Sequence, residues 1–146
     1  ELGSLLMSNK PLLEASIELR PPFHDVDSMR VVWHGNYLRY FEQARCALLQ
    51  TFGYDYPDME DSGYLWPIVD TRVKYVRSAH YGQLLRITAN LVEWENRLKI
   101  NYLITDAENG TKLTEGYSIQ VAVSKATGEM EFVSPAILRQ KLGLDA

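Results

Sequence analysis

The strongest constraint on the fold of this chain is one change of hydrophobic period, from helical to strand-like. Between Asn36 and Gly53 the apolar residues recur at steps of three or four, which predicts one amphipathic helix of about 16 residues. Asn36 is a favourable N-cap for this helix, and Gly53 is a favourable stop. From Val69 to Val123 apolar and polar residues alternate instead, which is typical of half-buried strands. The apolar positions of the helix are Leu38, Phe41, Ala44, Leu48 and Phe52.

Turn residues divide the alternating region into separate strands. Gly82, Asn96, Gly110 and Gly128 lie between the apolar stretches, where turns are expected. Another alternating stretch precedes the helix and ends at Pro21, because proline cannot donate to a strand ladder. The predicted strands cover residues 12–20, 69–75, 85–91, 98–105 and 117–123, with a candidate last strand at 130–133; short helices are expected within 53–63 and from Ser134 to Gly143.

This order of elements predicts an α+β fold. A strand, a long helix and four or five consecutive strands leave the helix to bury its apolar stripe against one face of an antiparallel sheet. We therefore expect an antiparallel sheet of five or six strands wrapped around one long central helix. The chain has 146 residues and no linker or repeat, so residues 1–146 are expected to form one domain, with residues 1–10 a tag or a disordered segment.

Charge and composition exclude several classes of function. The formal net charge of −4 gives no electrostatic footprint for nucleic acid, and no apolar run reaches the roughly 20 residues of a membrane-spanning helix. The single cysteine, Cys46, rules out an internal disulfide and is expected to be a buried small side chain in a cytoplasmic protein. The three histidines are scattered, so no metal site is expected, and without a glycine-rich phosphate loop no cofactor is expected.

The segment between the first strand and the helix holds the main catalytic candidate, Asp27. It lies near the amides that open the helix, at Asn36 and Tyr37. A carboxylate there would serve as general base or nucleophile, while the amides polarise a carbonyl and hold the oxyanion. The alternative is a loop aspartate in an Asx turn. Asp25 is the weaker candidate, and we expect it to be a solvated loop acid.

His34 is the second candidate, two residues before the predicted N-cap. It would act as a general acid or base, or as the proton donor to a leaving thiolate. The alternative is a partly buried histidine that hydrogen-bonds within the loop. His24 and His80 have no evident partners in the sequence and are expected to be structural.

A basic cluster follows in the stretch TRVKYVRSAHYGQ, with Arg72, Lys74 and Arg77. At alternating positions, Arg72 and Lys74 share one strand face, where they would bind the phosphates of an extended ligand. The alternative is a solvated strand face. A nearby set of aromatic residues is either a pocket lining for a long or aryl chain or the core of an interface: Tyr54, Tyr56, Tyr64 and Trp66.

The segment FHDVDSMRVVWHGNYLRYFEQAR resembles the signature of hotdog-fold acyl-CoA thioesterases of the 4-hydroxybenzoyl-CoA thioesterase and YbgC-like type. In that family an Asp is followed by a short run, two apolar residues, an aromatic residue and a His-x-Asn-Tyr that opens the central helix. The later segment VDTRVKYVRSAHYGQLLRI is similar to the family's second strand and the turn leading to its third. The matching residues are Asp27, Val31, Val32, Trp33, His34, Asn36 and Tyr37.

The resemblance implies hydrolysis of an acyl-CoA thioester, with a role for each matched polar residue. Asp27 would be the catalytic carboxylate, as nucleophile or as base on a water. The amides around Asn36 and Tyr37 would polarise the thioester carbonyl, and His34 would assist the thiolate or orient water. One carboxylate and a polarising helix end suit a thioester, whose thiolate leaves easily, so the chemistry needs no metal or cofactor.

The resemblance also implies how the ligand and the subunits are arranged. The segment from Tyr75 to Ser78 would lie near the pantetheine and nucleotide arm. Homodimers or homotetramers are implied, with the acyl pocket at a subunit interface. The chain departs from the family at the turn after the catalytic Asp, where small residues, commonly Gly, are usual. Here Ser28, Met29 and Arg30 occupy that turn, and they would narrow or recharge the mouth of the pocket.

Three other functions stay open at this point. They are hydrolysis of acyl-carrier-protein thioesters, dehydration of 3-hydroxyacyl thioesters by a hotdog dehydratase, and binding of acyl thioesters without catalysis. A dehydratase uses a His and an acid that face each other across its pocket, and Asp27 and His34 could be interpreted as such a pair. The order of an acid before His-x-Asn-Tyr matches the thioesterase pattern better. The length and type of the acyl chain are not specified by the sequence.

Overall fold

A computed structural model describes residues 13–144 of the chain, so the expectation for residues 1–10 lies outside the described residues. The larger strands are β1 Leu13–Leu19, β3 Ile68–Tyr75, β4 Leu85–Glu93, β5 Leu98–Asp106 and β6 Lys112–Gln120. The smaller elements are β2 Tyr64–Leu65, β7 Val123–Ser124, α1 Asn36–Gln50, α2 Tyr56–Asp61 and α3 Ala136–Lys141. The larger strands form one antiparallel sheet in the order β1-β4-β5-β6-β3, and β2 pairs with β7.

Alternation along the strands places one face of the sheet against α1. In β5 the side chains of Leu98, Ile100, Tyr102 and Ile104 are buried, and α1 packs against β1 and β4 on that face. Burying one large apolar side chain stabilises the fold by about 1.5–3 kcal/mol. The interface between α1 and the sheet is therefore the main apolar core. The architecture confirms the predicted α+β class, with five strands wrapped around one central helix in the hotdog arrangement.

The start of α1 differs from the prediction in one respect. Gly35 occupies the N-cap position, and Asn36 is the first helical residue. The Asn36 side chain donates from Nδ2 to the Asp25 carbonyl at 2.9 Å, so it ties the preceding loop to the helix instead of capping it. The helix ends at Gln50 after 15 residues, and Gly53 adopts a left-handed φ of 69° shortly beyond it, as expected of a stop signal.

The periodicity predicts a start for β6 that lies too far along the chain. The strand begins at Lys112, not at residue 117, because the charged Glu115 interrupts the apolar series of Leu113, Tyr117 and Ile119. Val123 belongs to the short β7 instead. The candidate strand at 130–133 is reduced to a bridge between Met130 and Val123.

Both short helices are present. Asp55 opens α2 with a capping box, in which its side chain and that of Asp58 satisfy each other's backbone amides. Pro135, where Ser134 was expected, occupies the N-cap position of α3. Gly143 follows α3 with a φ of 73°, which agrees with the predicted stop.

Candidate active site

The loop between β1 and α1 folds as a tight hairpin. Val26 forms a bridge with Val32, and Val31 forms a bridge with His80, which attaches the hairpin to the segment after β3. The Asp27 amide donates to the Val31 carbonyl at 2.9 Å. Asp27 therefore stands on an ordered turn.

The side chain of Asp27 is exposed and forms the Asx turn that the sequence left as the alternative. Its Oδ1 accepts the amide of Met29 at 2.8 Å and, more weakly, that of Val31 at 3.4 Å. Its Oδ2 has no hydrogen-bond or ionic partner among residues 13–144. One oxygen is thus used to fix the carboxylate, and the other is left for a ligand. The Asx turn and a catalytic role are compatible, because they use different oxygens.

The turn after Asp27 keeps a backbone shape that glycine adopts most readily. Arg30 has a left-handed φ of 64°, and its carbonyl accepts the Tyr81 amide at 3.0 Å. This is the turn where the resembling family commonly has glycine. The chain therefore keeps the backbone conformation and differs in the exposed side chains of Met29 and Arg30.

Asp25 corrects the expectation of a solvated loop acid, because its side chain is only 4% exposed. Arg39 Nη2 lies 2.6 Å from Asp25 Oδ1, and the Tyr40 hydroxyl donates to Oδ2 at 2.7 Å. The Asp25 carbonyl accepts the Trp33 amide at 3.0 Å and the Asn36 side chain. Burial and the Asp25 carboxylate raise the pKa of Tyr40, so its hydroxyl stays protonated. These contacts clamp the loop to the first turns of α1, and no sequence spacing indicated them.

Two amides at the start of α1 are the expected oxyanion donors. The Asn36 amide donates to the Trp33 carbonyl at 2.9 Å, whereas the Tyr37 amide reaches the His34 carbonyl only at 3.5 Å. First-turn amides have no intrahelical partner, so the long bond leaves the Tyr37 amide the more available of the two. The Tyr37 side chain has a separate role: its buried hydroxyl accepts the Ala79 amide at 3.1 Å, and burial raises its pKa.

His34 is exposed on the turn that opens α1. Its ring lies between those of Trp33 and Tyr75, with centroid distances of 4.8 and 6.4 Å. Its carbonyl accepts the Tyr75 hydroxyl at 3.1 Å. A Cβ on Gly35 would meet the indole ring of Trp33, so glycine at this position lets that ring fold over the helix start. The structure thus brings His34 and Tyr75 together beside the helix N-terminus.

The other predicted binding residues of β3 point away from this place. Pairing with β6 sets Arg72 opposite Tyr117 and Lys74 opposite Glu115, on the sheet face that α1 does not cover. With Lys99 they line a shallow concavity of about 400 Å³ on that face. Arg72 and Lys74 are exposed, and Lys74 Nζ lies 3.9 Å from the Glu115 carboxylate. They are separated by the sheet from His34.

Arg77 and Ser78 follow the end of β3 and are both exposed. The Arg77 amide donates to the Leu113 carbonyl at 2.9 Å, so the backbone of this segment is held while its side chains face solvent. Ser78 precedes Ala79, whose buried amide and carbonyl bond Tyr37 and the hairpin. The segment therefore forms an exposed margin beside the helix start.

A cavity of about 420 Å³ runs along α1 on the side that meets the sheet. Its lining from α1 begins at Gly35 and reaches Arg45, and part of its opposite wall is β3, which is an edge strand of the sheet. Asp27 and His34 lie outside the lining, on the loop that leads to the Gly35 end. The rings of Phe41 and Tyr102 stack at 4.5 Å and 7°, and Leu38 and Ser118 also line it.

The far end of the cavity holds Arg45, which sequence reasoning missed. Arg45 is 4% exposed; its Nε donates to the Tyr56 hydroxyl at 2.9 Å and its Nη1 to the Tyr102 hydroxyl at 3.3 Å. Burial lowers the pKa of Arg45, but the phenol groups of Tyr102 and Tyr56 outweigh it and raise the pKa, so the residue stays charged. One signal existed: Arg45 stands four residues after Phe41, on the apolar stripe of the helix.

The aromatic set divides between the core and this end of the cavity. Tyr54 and Trp66 are buried, and the Trp66 indole donates to the Tyr54 hydroxyl at 3.3 Å. Tyr56 reaches Arg45, and Tyr64 lies in the small β2 strand. In the described part of the chain no helix is long and apolar enough to cross a membrane, and no cluster of three or more His, Cys, Asp or Glu could hold a metal ion.

Comparison with known proteins adds a family to this geometry. The family model described as the thioesterase-like superfamily matches residues 21–140, which include the hairpin, α1 and every strand from β2 to β7. The match covers well over half of the chain.

Two relatives and one solved structure are similar to this chain. YneP of Bacillus subtilis (strain 168), provisionally named an acyl-CoA thioesterase, is 34% identical over 102 residues, which are 70% of this chain but 64% of YneP, less than two thirds of its length. A Synechocystis protein provisionally named an esterase is 30% identical over 130 residues, or 88% of this chain and 77% of that protein. The crystal structure of a DHNA-CoA thioesterase from Staphylococcus aureus has a TM-score of 0.72 and 27% identity, over 80% of this chain and 78% of that one.

Proposed function

The chain belongs to the thioesterase-like superfamily, and from that premise and the geometry of its site we propose that it hydrolyses acyl-CoA thioesters to the free acid and CoA. One observation carries the proposal: a cavity lined in part by apolar side chains starts at the N-terminus of α1, beside the ordered hairpin that bears Asp27. The relatives provisionally named as acyl-CoA thioesterase and esterase support the same reaction class.

In this proposal Asp27 is the catalytic carboxylate. Its Oδ1 is fixed by the Met29 amide, so its Oδ2 attacks the thioester carbonyl or takes a proton from the attacking water. The Tyr37 amide, with its long bond to the His34 carbonyl, is the leading donor to the developing oxyanion. The His34 ring, exposed beside the helix start, protonates the departing thiolate or orients water.

The proposed CoA arm follows the margin beside the helix start. Tyr75 contacts His34, and Arg77 and Ser78 extend the exposed segment outward. We assign the pantetheine contact to this segment, with Arg77 available for a phosphate. Arg72 and Lys74 face the opposite side of the sheet, so they would reach phosphates only from that outer concavity.

We also propose that two copies of the chain pair along β3. This edge strand exposes Ile68 and Val69, and an uncovered edge presents unpaired backbone groups. Ile68 and Thr71 line the cavity, so a second copy on this edge would close it. A homotetramer would be a further association of such dimers, and we expect the protein in the cytoplasm. Sedimentation of wild type and a Val69→Lys variant tests the pairing: loss of the dimer is expected in the variant, and a monomeric wild type contradicts it.

The test of the proposed activity is thiol release from acyl-CoAs, followed with a thiol-reactive dye. The panel runs from acetyl-CoA to palmitoyl-CoA and includes one aryl-CoA. Turnover of any member above a no-enzyme control supports the proposal. If no acyl-CoA is hydrolysed but the same acyl groups are released from acyl carrier protein, the substrate is an acyl-carrier-protein thioester and not an acyl-CoA. Ligand binding without turnover of either would make the chain a binding module.

A further inference from the structure

The proposed hydrolysis makes no use of Arg45, although this residue is charged and buried at the far end of the cavity. Taking a charge out of water is costly unless a partner of opposite charge compensates for it. Within residues 13–144, the ionic partner of Arg45 is Glu42, whose Oε2 is 3.7 Å from Nη2 and whose side chain is 56% exposed. Such an exposed pair is weak, so the buried charge of Arg45 is held mainly by the hydroxyls of Tyr56 and Tyr102, which carry no negative charge of their own.

The groups around Arg45 offer hydrogen-bond donors to the cavity. The Tyr102 and Ser118 hydroxyls lie 2.7 Å apart and share one of their two protons, which leaves the other for a ligand. Tyr102 already accepts from Arg45. Burial raises the pKa of Tyr102, so its hydroxyl is neutral and adds no negative charge. A guanidinium with a hydroxyl donor beside it matches a ligand group that only accepts hydrogen bonds and carries negative charge.

The distance between Arg45 and the N-terminus of α1 sets the length of ligand that would reach both ends of the cavity. Ten residues of helix separate Gly35 from Arg45, which is about 15 Å. The lining between them includes the exposed charged side chains of Arg39 and Glu42, and an apolar strip formed by Leu38 and the stacked rings of Phe41 and Tyr102. A ligand with its thioester at the helix N-terminus would pass along this apolar strip before it meets the buried charge.

We propose that the acyl group of the substrate ends in a carboxylate, which Arg45 binds together with the Ser118 hydroxyl. The substrate class is then an ω-carboxyacyl thioester, with an apolar middle section along Leu38 and Phe41. This inference rests on the proposed thioesterase function and names its substrate. A purely structural role for Arg45, as a tie between Tyr56 of α2 and Tyr102 of the sheet, needs hydrogen-bond donors but no net charge.

The test compares two series of acyl-CoAs by kcat/KM for thiol release. Each n-alkanoyl-CoA is matched with the ω-carboxyacyl-CoA of the same carbon number, from glutaryl-CoA to dodecanedioyl-CoA. Wild type is expected to prefer the carboxylate by at least about tenfold at its best length, because a buried charge whose ionic partner is weak and exposed binds a carboxylate better than a methyl terminus. In Arg45→Gln the preference should disappear, mainly through a higher KM for the ω-carboxy series.

Arg86→Gln is the matched control, since it removes an arginine that pairs with Glu18 on the exposed side of β4 and should leave the preference unchanged. If Arg45→Gln does not fold, Ser118→Ala keeps the charge and is expected to reduce the preference several-fold. Equal or better use of the alkanoyl series by wild type would overturn the inference while the thioesterase function stands. A preference that survives in Arg45→Gln would overturn the assignment to Arg45. Failure to hydrolyse either series, with the wider panel also inactive, would overturn the proposed function and this inference with it.

Discussion

Arg39 and Arg45 of α1 line the same cavity, but they differ in how their charges are compensated. At the Gly35 end, Arg39 meets the buried Asp25 carboxylate at 2.6 Å, and Asp25 is also bonded by the Tyr40 hydroxyl. At the far end, Arg45 is buried against neutral phenol groups, and among residues 13–144 its ionic partner is the exposed Glu42. The described residues therefore supply a buried carboxylate for Arg39 at the near end, but they supply no buried negative charge for Arg45 at the far end.

The difference separates two functions of a buried charge. A charge with a full set of partners holds structure in place, which suits the clamp between the hairpin and α1. A charge with an incomplete set favours any ligand that completes it. Changes at the near end should therefore affect folding and the chemical step, while changes at the far end should affect the choice of substrate more than stability.

The largest expected effect is at the near end, in Asp27→Asn. Asparagine keeps an Oδ1 that accepts the Met29 amide, so the Asx turn should survive while the base or nucleophile is lost. We expect kcat to fall by roughly a hundredfold to ten-thousandfold with little change in thermal stability. Single-turnover and steady-state thiol release measure it, with Ser28→Ala as a neighbouring control. A kcat within threefold of wild type would leave Asp27 as a turn residue only.

Asp25→Ala removes the carboxylate that joins the hairpin to α1, and it should lower both the stability and the activity of the protein. The buried Tyr40 hydroxyl loses its acceptor, which costs about 1–3 kcal/mol in the free energy of unfolding. The loosened hairpin should also lower kcat more than it raises KM. Urea denaturation and steady-state kinetics measure the two effects, and Glu108→Ala, at an exposed side chain in the turn between β5 and β6, is the control. Unchanged stability in Asp25→Ala would contradict the clamp.

Gly116→Ala tests the middle of the cavity, between the two ends. A Cβ at this position would meet the Arg72 carbonyl and lie 2.8 Å from Cε2 of Phe41. We expect overpacking to lower the free energy of unfolding by about 1–3 kcal/mol and to move the Phe41 ring that lines the cavity. Urea denaturation measures the free energy of unfolding, and the dependence of kcat/KM on acyl length reports the change in the cavity. Gly110→Ala serves as a comparison for backbone strain, since Gly110 has open space around its Cβ position but a φ of 78°.

The smallest expected effect on stability is that of Arg45→Met. Methionine fills much of the same volume, Tyr102 keeps its bond to Ser118, and a buried charge whose ionic partner is exposed disappears. We expect the free energy of unfolding to stay within about 1 kcal/mol of wild type, by urea denaturation. A loss as large as that of Asp25→Ala would show that the two ends are alike and that Arg45 is a structural tie.

Much of the fold could be predicted because it depends on local pattern. The helix from Asn36 and the strands of the sheet follow directly from hydrophobic period and turn residues. One error arises where a tertiary contact replaces a local one, because Asn36 bonds the Asp25 carbonyl instead of capping the helix. The other lies at the start of β6, where Glu115 interrupts the apolar alternation. The motif from Asp27 to Tyr37 placed the candidate site on a loop that folds as an ordered hairpin.

The burial of Asp25 and Arg45 could not be predicted in the same way. Their partners lie far away in sequence, from Asp25 to Tyr40 and from Arg45 to Tyr102. Hydrophobic period reports which face of an element is buried, but it does not report which polar group meets another across that face.

The amino-acid sequence by itself determined the α+β class, the order of elements and the loop that carries Asp27, because these depend on periods and turn chemistry within short stretches of chain. Only the tertiary structure decided that Asp25 is paired with Arg39 inside the fold, whereas the ionic partner of the buried Arg45 is the exposed Glu42. It also decided that Arg72 and Lys74 lie across the sheet from His34. Charge compensation depends on distance and dielectric in three dimensions, so it is settled where separate elements meet and not along any one of them.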